Sequence, residues 1–348
     1  MKEGWKTNLL LKVCKVYQPQ TIATSQLIPG APYDVFGANG CIGKYDQYNH
    51  EEDEILLTCR GATCGNINRS TPKSWINGNA MVVHPISDNI IKDFLMYALK
   101  SIDFSKVITG AAQPQITRVS LASVTIPIPP LPEQERIVSL LDAEFAKIDA
   151  IKANAEKQLQ DAKALFQSAL KDYLTPKEGW EDGILGNIAY IVHGKNQKDV
   201  VDSLGKYPIY GSGGNVMGYA NDCLCDEGTT ILGRKGTINN PVYVNSKFWN
   251  VDTAFGICAK ENVDKRFLFY IIKSEDWQAR NTGTTLPSLT QTVVLSVPIF
   301  YPSLSDQQQI AEQLDNISAK IQSLQSNFDT TVTLCNDLKQ SILKDIFG

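Results

Sequence analysis

The stretch Ile128–Ile137 (IPPLPEQERI) marks a sharp change in the character of the chain. From Glu133 to Leu174 there is no glycine or proline, and the segment is rich in alanine, leucine, lysine, glutamate and glutamine, all strong helix formers. Proline is tolerated in the first turn of a helix but not in its interior, so Pro132 predicts where the helix starts and Pro176 where it stops. At 1.5 Å per residue, this helix would be roughly 60 Å long.

Apolar residues recur along this helix in alternating steps of four and three, which is typical of a heptad seam. A second helical segment opens at Asp306 and runs to Phe347 with a similar pattern. The predicted seam comprises Leu141, Phe145, Ile148, Leu159 and Phe166 in the first helix and Ile317, Ile321, Leu324, Phe328 and Ile342 in the second. An amphipathic helix needs a partner for its apolar stripe, so the sequence predicts an antiparallel pair. The alternative is that each helix packs only on the globular part before it.

The second half of the chain repeats the first at an offset of 173 to 175 residues. Lys2–Trp5 (KEGW) returns as Lys177–Trp180, and Phe94–Tyr97 (FLMY) returns as Phe267–Tyr270 (FLFY). A repeat this long is a duplicated domain, since solenoid arrays repeat at roughly 20–50 residues. We therefore predict an α+β fold with pseudo-two-fold internal duplication: two similar globular heads and two long antiparallel coiled-coil helices.

Composition fits a globular chain of two or three domains, because 43% of the 348 residues are hydrophobic. No run of about 18 apolar residues occurs and no signal-peptide pattern opens the chain, which predicts a soluble intracellular protein. The eight cysteines are scattered without paired spacing, so we interpret them as reduced thiols. The net charge of −4 is unfavourable for binding DNA phosphates. Much of the acidity lies in His50–Glu54, in Asp222–Glu227 and along the helices, so basic residues can still share one face of each head.

Head one (residues 1–130) and head two (residues 177–302) show short β-prone runs, turns and one short helical segment each. Each has a glycine-rich stretch, Phe36–Gly40 or Tyr210–Gly214, that fits neither a P-loop nor a dinucleotide fingerprint. We interpret it as a tight turn, with phosphate contact as the alternative. About twenty residues later an arginine stands among glycines, Arg60 or Arg234. A guanidinium there can bind guanine or phosphate, or it can pack on its own domain.

Catalytic patterns are missing from the sequence. It contains no nucleophile elbow, no His-Glu-x-x-His, no metal-binding carboxylate cluster repeated in both halves, and no Asn/Asp-Pro-Pro-aromatic motif of amino-methyltransferases. The three histidines have no counterparts between the copies. The sequence therefore predicts a binding protein with no catalytic residue and no metal site.

The chain has two heads, and each is followed by a long helix that begins with proline-rich sequence and a glutamine element. This arrangement resembles the specificity subunit of type I restriction-modification systems. The residues that carry the resemblance are Ile128–Ile137, the weaker Phe300–Ile310, and Trp180–His193, which opens head two. Head one lacks the Leu-Gly-Asn-Ile sequence found at Leu185–Ile188, which leaves its opening strand undetermined.

The resemblance implies that each head is a target recognition domain reading one half of a split, asymmetric DNA sequence. The implied domains are residues 1–130 (target recognition domain 1), 131–176 (central helix), 177–302 (target recognition domain 2) and 303–348 (C-terminal helix), with the helices as a spacer. Implied partners are double-stranded DNA, two modification (methyltransferase) subunits and restriction subunits. S-adenosylmethionine and ATP with Mg²⁺ are then expected on those subunits, and no cofactor on this chain. A cytoplasmic, membrane-free role in defence against foreign DNA follows.

Basic side chains of the heads are the candidate DNA contacts, although a solvated surface charge is the alternative role for each. They are Lys44, Arg60, Arg69 and Lys73 in head one, and Lys195, Lys198, Arg234, Lys235 and Lys247 in head two. The alternative function is a non-catalytic tether whose heads bind proteins, which the acidic balance favours. A third hypothesis is a metal-dependent nuclease.

Overall fold

The computed structural model describes residues 4–110 and 113–348, so Lys2 and Glu3 of the first repeated motif lie outside the described residues. Within head one the elements are β1 (Lys6–Leu9), α1 (Leu10–Val13), β2 (Cys14–Tyr17), β3 (Tyr33–Gly37), β4 (Gly40–Tyr45), β5 (Ile55–Thr58), β6 (Ile67–Arg69), β7 (Trp75–Ile76), β8 (Ala80–Pro85), α2 (Lys92–Lys100) and β9 (Thr125–Ile128). The first long helix, α3, spans Leu131–Tyr173.

Head two repeats this order and adds one short α-helix before its last strand. Its elements are β10 (Glu181–Ile184), α4 (Leu185–Ile188), β11 (Ala189–His193), β12 (Tyr207–Tyr210), β13 (Val216–Ala220), β14 (Thr229–Gly233), β15 (Val242–Val244), β16 (Trp249–Asn250), β17 (Ala254–Ala259), α5 (Lys265–Ser274), α6 (Gln291–Leu295) and β18 (Pro298–Tyr301). The second long helix, α7, spans Leu304–Phe347. None of the helices in the described part of the chain is long and apolar enough to cross a membrane.

The sheets of the two heads have the same topology. Head one contains the pair β1-β9, a four-stranded sheet of order β2-β8-β5-β6, and a three-stranded sheet of order β4-β3-β7. Head two contains β10-β18, β11-β17-β14-β15 and β13-β12-β16. In both heads, two consecutive strands of the three-stranded sheet form a hairpin, β3–β4 or β12–β13. The first strand of this hairpin also pairs in parallel with a two-residue strand, β3 with β7 and β12 with β16. The predicted α+β duplication is confirmed.

Head one has its opening strand although the Leu-Gly-Asn-Ile sequence is missing. Strand β1 pairs antiparallel with β9 from Lys6 opposite Ile128, just as β10 pairs with β18. The short helix that follows buries Leu10 in head one and Leu185 in head two, with 0% and 1% of their surfaces exposed. One buried leucine at the start of this turn is therefore what the two openings share.

The chain divides into two compact units, and the division falls inside both long helices. Unit one contains the residues up to Asn154 together with 330–348, and unit two contains Ala155–Asp329. In unit one the core gathers side chains of the sheet and of α2 with Leu141 of α3 and Leu343 of α7. In unit two it gathers α5 and the second sheet with Phe166 of α3 and Leu314 of α7. Each head is thus packed on a segment of both helices.

The helix segments run antiparallel within each unit. In unit one, Lys339 Nζ lies 5.1 Å from the Phe145 ring centroid, whereas the thiol of Cys335 lies 3.8 Å from the Ile148 carbonyl. The partner number on α7 falls as the number on α3 rises. In unit two, Lys163 Nζ donates to Gln325 Oε1 at 2.9 Å, while Phe166 joins a cluster with α7 residues of lower number. This is the predicted pairing, and the alternative of packing on the preceding head alone is wrong.

A buried glutamine ties the start of α3 to head one. The side chain of Gln134 is fully buried, and its Oε1 accepts a hydrogen bond from the Ile91 N–H at 2.9 Å. Its Nε2 donates to the carbonyls of Asn89 at 2.8 Å and Pro129 at 2.9 Å. Because Ile91 directly precedes α2, the glutamine of the IPPLPEQERI stretch fixes the short helix against the long one.

Gln307 has the same role at the start of α7. It is 2% exposed, its Oε1 accepts from the Asp264 N–H at 3.0 Å, and its Nε2 donates to the Pro302 carbonyl at 2.9 Å. Asp264 in turn caps α5. The glutamine that recurs in the sequence is therefore a structural clamp in both units.

A tyrosine and an aspartate form a second clamp in each unit. The hydroxyl of Tyr97 on α2 donates to Asp142 of α3, and that of Tyr270 on α5 donates to Asp315 of α7, both at 2.5 Å. The pKa of both phenols is raised, mainly by burial and to a smaller extent by the hydrogen bond to the carboxylate. In unit two Arg266 also forms an ion pair with Asp315. Head and helix are thus joined by the same polar pair in each copy.

Candidate nucleic-acid interface

Four of the predicted DNA contacts are held in ion pairs with carboxylates of their own head. The Nζ atoms of Lys44, Lys73 and Lys247 lie 2.7, 3.5 and 2.8 Å from carboxylates, and Arg69 Nε lies 2.6 Å from Asp53. Arg69 also pairs with Asp93. The acidic run of head one is therefore partly neutralised from within, and a DNA phosphate would have to compete for these cations.

The remaining five candidates, Arg60, Lys195, Lys198, Arg234 and Lys235, form no ion pair with a carboxylate within residues 4–110 and 113–348. Lys195 has an anchored backbone, because its carbonyl accepts the indole N–H of Trp249 at 3.0 Å. Arg234 leans on its own domain: its Nη1 donates to the Asp252 carbonyl at 3.3 Å, and its guanidinium lies 5.8 Å from the Phe255 ring centroid.

In head one, Arg60 stands on a loop that is bonded to a second loop, at Pro114 and Ile116. The Gly61 N–H donates to the Pro114 carbonyl at 3.0 Å, and the Ile116 N–H donates to the Cys59 carbonyl at 3.0 Å. Gly61 has a φ of +89°, a conformation that favours glycine. We call this junction the loop corner of head one. It holds the Arg60 backbone in one position.

Head two builds the same loop corner from the matching segments. The Gly236 N–H donates to the Pro287 carbonyl at 2.8 Å, and the Leu289 N–H donates to the Arg234 carbonyl at 2.8 Å. Gly236 has a φ of +83°. The residue before this glycine is Lys235, so Lys235 occupies the position that Arg60 holds in head one. The sequence analysis had matched Arg60 with Arg234, whereas the backbone bonds match Arg60 with the next residue, Lys235.

A cavity of about 260 Å³ opens beside the loop corner of head one. Its floor is apolar, formed by Val16, Met81 and Ile116, each no more than 3% exposed. The other lining residues are polar or aromatic, and they are Tyr17, Gln18, Arg60, Gln115, Thr117 and Arg118.

The sequence analysis missed two further cations, one that lines the cavity and one that lies over the ring of the lining residue Tyr17. Arg118 is exposed at the cavity rim, and Lys15 Nζ lies 4.9 Å from the Tyr17 ring centroid. Neither forms an ion pair with a carboxylate among the described residues. Arg118 follows Gly110 and Pro114, which recur in the second copy, but that recurrence does not point to the arginine itself.

Tyr17 and His50 form a neutral pair at the side of the cavity. They are joined by a 2.8 Å hydrogen bond from the phenol to His50 Nε2, and His50 Nδ1 lies 2.6 Å from Asn49 Oδ1. Burial lowers the pKa of His50, and burial together with the Glu54 charge raises the pKa of Tyr17. Both pKa shifts favour the uncharged form of the ring, and the cationic side chains that line the cavity are Arg60 and Arg118.

The glycine-rich stretches are the turns of the β3–β4 and β12–β13 hairpins, which confirms the tight-turn interpretation. The Ala38 carbonyl in the first turn accepts hydrogen bonds from Thr58 Oγ1 and, at 3.1 Å, from Asn68 Nδ2. The turn is thus fastened to the four-stranded sheet of its own head.

The predicted seam residues lie in the interior of their units to different extents. Leu141, Ile148, Leu159 and Phe166 are buried, whereas Phe145, Ile317, Ile321, Leu324, Phe328 and Ile342 are half-buried. On α7 the side chains that are fully covered are Leu314 and Leu343, at 0% and 1% exposure. In the described part of the chain, no group of three or more histidine, cysteine, aspartate or glutamate residues is placed to hold a metal ion.

Comparison with known proteins identifies relatives that share this sequence pattern and this fold. The sequence profile of the family described as "Type I restriction modification DNA specificity domain" matches twice, at residues 2–161 and 177–333. A protein named as a type I specificity subunit of Mycoplasma pneumoniae is 24% identical over 295 residues, covering 79% of this chain and 87% of the relative. The specificity subunit of the type I restriction enzyme MjaVIII of Methanocaldococcus jannaschii is 25% identical over 373 residues, covering 90% of this chain and 85% of the relative.

A solved chain from work on complex assembly and conformational transition of the type I restriction-modification system has the same fold. It superposes with a TM-score of 0.75 at 16% sequence identity, over 98% of this chain and 97% of that one.

Proposed function

Since the chain belongs to the type I restriction-modification DNA specificity family, we propose that it is the sequence-reading subunit of such a system. Head one reads one half of a bipartite, asymmetric duplex target and head two reads the other half. The helices α3 and α7 set the gap between the halves and dock two modification subunits, and restriction subunits join this complex. Chemistry belongs to those partners, which bind S-adenosylmethionine and ATP with Mg²⁺. The chain itself has no catalytic role and works in the cytoplasm.

The observation that carries this proposal is the duplication of the loop corner. Both heads place a basic residue, Arg60 or Lys235, on the same backbone-bonded junction. A phosphate backbone is the same at both halves of a target, so a cation at an equivalent place in each head suits it. The surrounding side chains differ between the heads, as two unlike half-sites require.

The net charge of −4 does not oppose the proposal, because charge is unevenly distributed. Acidic residues of head one pair with Arg69, Lys73 and Lys92. In contrast, Arg60 and Arg118 line a cavity, Lys15 lies over the ring of Tyr17, and none of these three forms such a pair among the described residues.

The test is to express the chain with its modification subunit in cells that lack other adenine methylation, and to sequence the genomic DNA by a single-molecule method that detects methylated adenine. We expect one split, asymmetric motif with a fixed gap. Cells with the modification subunit alone are the control and should show no such motif. Absence of any motif in cells with both subunits would overturn the proposal.

Binding measurements separate a DNA reader from a protein tether. With the modification subunit present, affinity for a duplex carrying the motif should fall steeply as salt rises, because each neutralised phosphate releases counterions. A complex that forms equally well on a duplex with scrambled half-sites would favour the tether.

A further inference from the structure

We propose that each head reads base edges with one loop, which follows α2 in head one and α5 in head two. This reading loop is residues 113–118 in head one and 286–291 in head two. The inference rests on the proposed function and deepens it, because it assigns specificity to side chains that stood outside the predicted set, above all Gln115 and Arg118.

The backbone frame of the reading loop is the same in both heads. The Thr109 N–H donates to the Gln115 carbonyl at 2.8 Å, and the Thr282 N–H donates to the Ser288 carbonyl at 2.9 Å. Each threonine hydroxyl adds a bond to the same carbonyl, at 3.2 and 3.1 Å. The loop is therefore cross-linked at its base before any ligand arrives.

The end of the loop is fixed in the same way. Thr117 Oγ1 accepts from the Ser120 N–H at 3.1 Å, and Thr290 Oγ1 accepts from the Val293 N–H at 3.3 Å. A preorganised loop loses little conformational entropy on binding, so its side chains can discriminate between ligands efficiently. This rigidity is a property that a base-reading element needs.

The side chains at the rim differ while the frame stays constant. Reading from head one to head two, Arg60 is replaced by Lys235, Gln115 by Ser288, and Arg118 by Gln291. The frame residues Thr109, Gly110, Pro114 and Thr117 recur as Thr282, Gly283, Pro287 and Thr290. The three positions that differ carry side chains able to hydrogen-bond with base edges in both copies. Reading of two different half-sites explains the pattern.

The rim chemistry of head one fits the edges of base pairs in the major groove. Arginine can donate two hydrogen bonds to guanine O6 and N7, and glutamine can form a bidentate pair with adenine N6 and N7. The apolar floor beneath them, formed in part by Met81 and Ile116, suits the thymine methyl group. Lys15 at the side supplies a positive charge for the neighbouring phosphate.

In head two the residue equivalent to Arg118 makes an internal contact. His193 Nε2 lies 2.6 Å from Gln291 Oε1, and the His193 ring stacks edge-on against Phe255 at 5.3 Å. Gln291 is thereby oriented, and it presents its amide at the place where Arg118 presents a guanidinium. The two heads should therefore prefer different bases at equivalent steps of their half-sites.

The experiment uses the full chain with its modification subunit and maps the methylated motif for single variants. Gln115→Ala and Arg118→Ala should each relax a position in one half of the motif and leave the other half unchanged. The mirror variant Gln291→Ala should relax the opposite half. Discrimination at a relaxed position should drop roughly 5- to 150-fold, the range of one bidentate contact to a base.

Arg118→Lys separates reading from phosphate binding, because lysine keeps the charge but loses the planar fork. Relaxed specificity in this variant supports the inference, whereas a motif identical to that of the unmodified chain overturns it. If an alanine variant abolishes methylation, its complex is tested on duplexes that each carry one substituted base pair. Loss of discrimination at one position supports the inference, and uniform weakening on every duplex overturns it. Failure of the unmodified chain to give a split motif counts against the proposed function instead.

Discussion

Replacing Gln134 by leucine tests whether the recurring glutamine is a clamp. Leucine keeps most of the volume but removes the three hydrogen bonds to Ile91, Asn89 and Pro129. Each such bond contributes about 1 kcal/mol net, and the Ile91 N–H is left without its acceptor. We expect the free energy of unfolding to fall by about 3 kcal/mol. For a unit of this size that lowers the melting temperature by about 6–12 °C, which scanning calorimetry resolves.

The chain provides its own controls for this measurement. Gln307→Leu removes two bonds, to Asp264 and Pro302, so its effect should be about two thirds as large. Gln308 is the next residue and is exposed, so Gln308→Leu should change stability by less than about 0.5 kcal/mol. If Gln134→Leu melts within the range of this exposed control, the clamp does not hold the head to the helix and the reasoning fails.

Three further predictions concern the clamps, the neutral pair and the helix seam. Burial and the hydrogen bond to Asp142 raise the pKa of Tyr97 above its usual value near 10. The stability that this pair supplies is therefore complete below pH 10 and is lost as pH rises further. Tyr97→Phe should flatten the alkaline decline in the free energy of unfolding, measured with urea. Burial lowers the pKa of His50, so the stability gained from keeping this ring neutral is complete above about pH 6.5 and falls as the solution becomes more acidic. His50→Gln should reduce the loss of unfolding free energy at acidic pH. An unchanged loss would show that other groups cause it. A fragment ending at Thr175 exposes the α3 side chains that pack against α7 in the full chain, such as Phe166, so it should sediment as a dimer; a strictly monomeric fragment would contradict self-pairing of the seam.

The fold could be predicted largely because its signals are local or repeated. A glycine-free and proline-free segment predicts a helix without reference to the rest of the chain. Helix α3 spans Leu131–Tyr173, so it begins one residue before Pro132 and ends three residues before Pro176. Heptad spacing is less decisive for burial. It favoured Ile342, but Leu343 is the fully covered neighbour, because in unit one that stretch of α7 packs on a head as well as on a helix.

The candidate site was harder to predict because its parts come together only through the tertiary fold. Arg60 and Arg118 stand 58 residues apart and meet through backbone bonds between Gly61 and Pro114. No periodicity in the sequence reports such a contact. The recurrence of Gly110 and Pro114 in the second copy was visible, yet a glycine and a proline alone do not say which side chains they bring to the surface.

The duplicated chain also separates the residues that give stability from those proposed to give specificity. Positions that attach a head to the helices are identical in the two copies: glutamine at 134 and 307, tyrosine at 97 and 270, aspartate at 142 and 315. Positions at the loop-corner rim differ between the copies, as Gln115 and Ser288 do. A substitution in the first set should shift the melting temperature and leave the methylated motif intact, and a substitution in the second set should do the reverse. Because these attachments lie within each unit and the differing side chains lie elsewhere, the proposed reading positions can change while the joint that holds the head stays the same.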